Sequence, residues 1–193
     1  MPKRVDHDER RRHIAGALLC IAEREGLQGA SMREVAAEAG VSVRLVQYYF
    51  TTKDELLVGA LGYLAEKLTV RVRTRLEALG SPPPPREFVT ETLLAALPTD
   101  PERVRESRAW AAFYSLVLTD PALSRLHGTD YPDRLERLLA TQLGLAGVAA
   151  PETVAAGLLA MTNGLTSSIL GGQRDADAAT AVLRHHLDRV FAK

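Results

Sequence analysis

The chain contains a single cysteine, Cys20, so no intrachain disulfide can form. Aromatic residues make up only 5% of it, and Ala and Leu together outnumber the β-branched residues, a balance that favours helices over strands. No segment sustains the two-residue alternation of a half-buried strand. The N-terminus carries charges without an apolar run of signal-peptide length, and no stretch is expected to approach a membrane span. A cytoplasmic protein with no membrane association is therefore the expectation. Formal charge is zero, so the whole chain is no polycation. His7, His13, His127, His185 and His186 lack metal-ligand spacing, and the adjacent pair His185 and His186 diverges on a helix. No nucleophile–base pair, phosphate-cradling glycine loop or catalytic carboxylate pair is legible. Neither catalysis nor a metal nor a cofactor is expected.

What is present is Ala and Leu in helical spacing, cut by proline and glycine. The 193 residues can bury one good core, or one core with a small appended module. Gly26, Gly40, the Ser81–Pro85 run, Pro98–Pro101, Asp120-Pro121, Gly128, the Gly144–Pro151 segment and Gly171-Gly172 read as breaks. The intervening segments predict an all-α protein. Its helices are expected near His7–Glu25, Lys53–Leu79, Arg86–Leu97, Glu102–Leu118, Ala122–Leu143, Glu152–Leu170 and Asp175–Phe191, with two short ones between Ser31 and Phe50. Asp6 with Glu9 predicts a capping box at the start of the first.

The stretch from Ser31 to Leu57 is the most informative. Ser31 and Glu34 form a capping-box pattern, in which each side chain satisfies an orphan backbone donor. Met32, Val35, Ala36 and Ala39 supply one apolar face, and Gly40 stands where the chain must turn sharply. Val41 can plug the corner, and Ser42 can cap a second helix. Two short helices around a Gly-centred turn are what a helix-turn-helix requires. Advancing 100° per residue places Val43, Val46, Tyr49 and Phe50 on the packing side. Arg44, Gln47 and Tyr48 fall on the other, with Leu45 at the boundary. Arg44 can read guanine and Gln47 adenine, or either can contact phosphate, and a tyrosine hydroxyl is a good backbone-positioning donor. Thr52 and Glu55 repeat the capping pattern, and Lys53 in that first turn makes a phosphate site. Lys3, Arg4 and the run Arg10-Arg11-Arg12 can add backbone contacts or form a solvated face. Up to Lys53 there are nine basic against seven acidic side chains, too small an excess to identify a nucleic-acid binder by itself.

This run resembles the DNA-binding module of the TetR family of transcriptional repressors. Tyr49, Phe50, Lys53 and Leu56 match the family's pattern as they stand, and Gln47 departs from it where tyrosine is commoner. The remaining two-thirds resembles, more loosely, the effector domains of the betaine-regulator branch, through Trp110-Ala-Ala-Phe113, Leu118-Thr-Asp-Pro121 and Asn163-Gly-Leu165. The resemblance implies nine or ten helices, a homodimer built on the last two long helices, and a ligand pocket in the effector domain. It divides the chain into a DNA-binding domain over residues 1–53 and a ligand-binding and dimerisation domain over 54–193. The implied function is a ligand-responsive repressor of a palindromic operator, released when a small molecule binds.

Residues follow for each role. For DNA they are Arg33, Ser42, Arg44, Gln47, Tyr48, Tyr49 and Lys53. For the ligand they are Phe88, Trp110, Phe113, Tyr114 and Met161, large side chains that suit either a cavity or a core. For the dimer they are Val154, Leu158, Leu165, Val182, His186 and Val190, with Gly157, Gly164 and Ser168 forming a ridge that a second backbone can approach. A small helical enzyme and a ligand-free interaction dimer are the alternatives.

Overall fold

The structure, a computed structural model, describes residues 2–27, 30–119 and 131–192. Among the described residues all regular structure is helical: α1 (Pro2–Glu25), α2 (Met32–Glu38), α3 (Val43–Tyr49), α4 (Lys53–Glu77), α5 (Pro85–Ala96), α6 (Pro101–Thr119), α7 (Tyr131–Leu145), α8 (Pro151–Leu170) and α9 (Ala176–Phe191). The all-α expectation holds. Two details differ from it. Helix α1 begins at Pro2, so Asp6 lies within the helix and not at its N-cap, because Pro fits the first helical turn. The expected helix from Ala122 is described only from Tyr131, and its earlier part, Asp120-Pro121, Gly128, His127 and the side chains of Lys3 and Arg4 lie outside the described residues.

The described residues form two compact units. One holds the chain up to Glu66 together with the stretch from Arg105 to Thr119, and the other holds Lys67–Val104 and the chain from Tyr131 onward. The packing boundaries therefore fall inside α4 and α6, away from the junction at residues 53 and 54.

In the first unit α2 packs on α1 and on α3. Ile14, Leu18 and Ile21 of α1 close over Val35, Val46, Phe50, Leu56 and Leu61, and all of these are essentially removed from solvent. Each such side chain contributes on the order of 1.5–3 kcal/mol on burial. Phe113 of α6 is 2% exposed in this same core, with Trp110 packed partly buried against it. The start of α4 belongs here because Leu56, Leu57, Ala60 and Leu61 present one stripe to α1 and α3. The ring of Phe50 lies where a Cβ on Gly59 would stand, so only glycine lets the ring reach the α4 backbone.

The second unit is built on α5, α7, α8 and α9, with α8 packing on α7, α9 and α5. Val89, Leu93 and Leu97 meet Leu139, Leu143, Leu158, Leu183 and Leu187 in its core. Arg86 of α5 donates to Asp188 of α9 at 2.7 Å and lies over the ring of Phe191. Helix α8 corrects one expectation, since it is 20 residues long and holds an 18-residue window of mean hydropathy 1.3, long and apolar enough to cross a membrane. That hydropathy comes from its Leu, Ala, Val, Ile and Met side chains, and Ala155, Leu158, Thr162, Leu165 and Ser168 are buried in this unit.

Candidate nucleic-acid interface

Local hydrogen bonds set up the helix-turn-helix. The Glu34 carboxylate accepts from the Ser31 N–H at 2.7 Å, and the Ser31 hydroxyl accepts from the Glu34 N–H at 3.3 Å, completing the capping box. The bond from the Ser31 backbone, helped by the Ser31 hydroxyl and the positive charge of Lys53, holds the Glu34 carboxyl below the usual range. Helix α2 ends in a Schellman pair: Val41 N–H donates to the Ala36 carbonyl at 2.9 Å, and Gly40 N–H to that of Ala37 at 3.1 Å. This geometry places Gly40 at φ 64°, the left-handed region in which a side chain is strained. Ser42 then caps α3 by accepting from the Leu45 N–H at 3.2 Å.

Helix α3 sorts into two sides. Val46 and Phe50 are fully buried, and Val43 and Tyr49 pack partly buried against the same core. Arg44, Gln47 and Tyr48 are exposed, Tyr48 to 72%. Among the described residues no hydrogen bond or ion pair engages Arg44 or Gln47. Arg33 on α2 and Ser42 are exposed as well, and Lys53, half-buried, is the first residue of α4. Just before it, the Thr52 hydroxyl accepts from the Glu55 N–H at 3.1 Å and the Glu55 carboxylate accepts from the Thr51 N–H at 2.7 Å.

Two residues of α1 matter here in ways that the sequence did not reveal. Arg11 Nη1 donates to the Tyr49 carbonyl at 3.0 Å, and its guanidinium lies 4.4 Å from the centre of the Phe50 ring. A cation on the last turn of α3 complements the helix dipole and ties that helix to α1. His7 packs its ring against Tyr49 and Tyr48, at 4.6 and 6.2 Å between centres. These partners are about forty residues away in the chain, so no local spacing announces them. The basic run is largely engaged internally. Arg12 pairs with Glu66 at 2.8 Å, and the Arg12 and Arg11 guanidinium groups both have partners within the protein. Arg24 is similarly paired with Glu38 at 2.7 Å.

An exposed polar face on the second helix of a capped helix-turn-helix has the form needed to enter a major groove. Comparison with known proteins agrees. Residues 14–60 match the family model for bacterial regulatory proteins of the tetR family, and residues 85–192 match that for the C-terminal part of BetI-type transcriptional repressors. The chain belongs to the TetR family. As a TetR-family protein it is a transcriptional repressor with a DNA-binding helix-turn-helix, not an enzyme. It is 27% identical over 195 residues to the regulator BetI of Burkholderia cenocepacia (strain HI2424), covering 100% of this chain and 99% of that one. It is 40% identical over 113 residues to the regulator PksA of Bacillus subtilis (strain 168), an alignment spanning 58% of this chain and 54% of PksA. A solved transcriptional regulator from Rhodococcus sp. Rha1 superposes with a TM-score of 0.80 at 31% identity, covering 93% of this chain and 95% of that one.

The residues expected for ligand and dimer are distributed differently from the expectation. A groove of about 1040 Å³ in the second unit is lined by the later part of α4, the segment leading into α5, α5 itself and α7. Phe88 lines it. Phe113 is instead core in the first unit, Trp110 packs beside it, Tyr114 is 55% exposed, and Met161 packs against the second core. The reason is that α6 from Arg105 onward belongs to the same unit as the helix-turn-helix. On α8, Leu158 and Leu165 are 1% and 7% exposed in the core of their own unit, so they are not free to meet a second chain. Val154 and Val190 are partly buried against that core, and Ser168 is buried too. Val182, 43% exposed, and His186 remain on the surface of α9, and Gly157 and Gly164 on that of α8.

Proposed function

We propose that this TetR-family repressor is a cytoplasmic homodimer that binds a palindromic operator and is released when a small molecule enters its second unit. The carrying observation is that α3 turns Arg44, Gln47 and Tyr48 outward while Val46 and Phe50 anchor it. Arg44 and Gln47 read base edges, and Arg33, Ser42, Tyr48, Tyr49 and Lys53 fix the backbone. Residues 1–53 carry the DNA chemistry and 54–193 the effector and dimer functions, although the first turns of α4 pack with the former. The exposed sides of α8 and α9, with Gly157, Gly164, Val182 and His186, form the two-fold contact. The small residues there let a second helix approach closely. Two α3 helices then reach successive major grooves about 34–36 Å apart, or somewhat more. The effector binds one spacing of the α3 helices better than the other and lowers operator affinity by that difference.

Operator selection from random DNA tests the reading, with a two-fold symmetric site expected. Replacing Arg44 and Lys53 with alanine weakens binding to that site in a gel-shift assay, and unchanged binding refutes their roles. A monomeric mass by light scattering at micromolar concentration removes the dimer.

A further inference from the structure

The groove in the second unit has a distinct chemical character. Its walls are aliphatic, from Val72 and Leu76 on α4 and Leu135 and Leu138 on α7, with Phe88 the aromatic contribution. Its charged lining is Arg73, Arg134 and Arg137 against the single acid Glu77. Among the described residues none of these three arginines is held in an ion pair. Unpaired guanidinium groups beside apolar walls attract an anion more strongly than they would in open water, because the low-dielectric surface weakens screening. Thr92 adds a second and independent sign. It lines the groove, is 3% exposed, and its hydroxyl oxygen has no hydrogen-bond partner. A buried hydroxyl left unmatched is costly, and a bound molecule carrying oxygen can satisfy it.

We infer that the groove takes an anionic amphiphile, a carboxylate on a medium-length aliphatic body, whose head group sits with Arg73, Arg134 and Arg137. The aliphatic body covers the leucine and valine walls, and an oxygen of the ligand meets Thr92. A quaternary ammonium is disfavoured by the same lining. It would face three positive charges against one negative, and it would find one aromatic ring where a cation cage needs several. The inference rests on reading the second unit as the effector domain, and it specifies the chemistry of that site.

The test uses the full-length protein with decanoate, decyltrimethylammonium and decanol, each below its aggregation concentration, by titration calorimetry and operator gel shift. Decanoate is expected to bind, to bind at least tenfold tighter than decyltrimethylammonium, and to release the operator. The double variant Arg134→Ala/Arg137→Ala weakens decanoate at least tenfold and decanol less than threefold. Leu138→Trp, at a position 42% exposed, fills the groove from its surface and abolishes binding without burdening the core. Equal binding of the cation, full decanoate affinity in the arginine variant or in Leu138→Trp, or no decanoate binding by the wild-type chain overturns the inference. If a neutral or cationic metabolite from a library still releases the operator, the effector reading stands while the anionic assignment falls. If no compound does so, both fall.

Discussion

Gly59 and Phe50 are coupled tightly enough to measure. A methyl group added at Gly59 falls on the Phe50 ring, which is fully buried beneath α1 and α4. Gly59→Ala brings an ordinary helix gain of about 1 kcal/mol. Against it stands overpacking of a closed core, about 1–3 kcal/mol, and the overlap is with ring carbons that have nowhere to retreat. A net loss of up to about 2 kcal/mol is expected from those two terms. In a chain of this size that lowers the thermal midpoint by several degrees. Phe50→Leu alone costs about 1–2 kcal/mol through lost packing. Combined with Gly59→Ala it relieves the overlap, so the methyl group becomes neutral or mildly stabilising. Urea titrations of the wild type, both single variants and the double variant close the cycle, with a coupling of about 2 kcal/mol. Because Phe50 ends the recognition helix, Gly59→Ala also weakens operator binding. If Gly59→Ala stabilises the wild-type background by its helix propensity alone, the reasoning is refuted.

Other outcomes follow from the same contacts. Arg11→Ala frees the end of α3, and a several-fold loss of operator affinity is expected with a stability cost of only about 1 kcal/mol, since the bond is exposed. Arg11→Lys restores little, because a point charge cannot both donate to Tyr49 and lie flat on Phe50; full recovery by lysine argues against this role. The Glu34 carboxyl is held below its ordinary value in the folded chain, so its contribution is complete above the unfolded glutamate range and is lost as pH falls through the folded value. Wild type therefore loses stability relative to Glu34→Gln on acidification, and parallel urea midpoints from pH 7 to pH 3 rule this out. Thr92→Val removes an unmatched buried hydroxyl and is expected to stabilise the ligand-free protein by up to about 1 kcal/mol. A destabilisation seen by the same titration means that the hydroxyl is bonded.

The features legible before any coordinates were those whose causes lie within five residues. The Ser31–Glu34 box, the Gly40 turn, the Ser42 cap and the inward and outward sides of α3 all depend on neighbouring backbone groups or on helical pitch. Periodicity also marked Leu158 and Leu165 as sharing a face. It cannot tell whether that face meets the same chain or another, and here it meets α5, α7 and α9.

Amino-acid order alone thus determined the helical class and the helix-turn-helix, because capping, turning and pitch are short-range. Only tertiary structure decided that Phe113 is core beside the helix-turn-helix, that Arg11 and His7 brace the end of α3, and that three arginines share a groove with Thr92. Those neighbours are brought together by burial of apolar area, which is non-directional and leaves no mark in the spacing of the residues it joins.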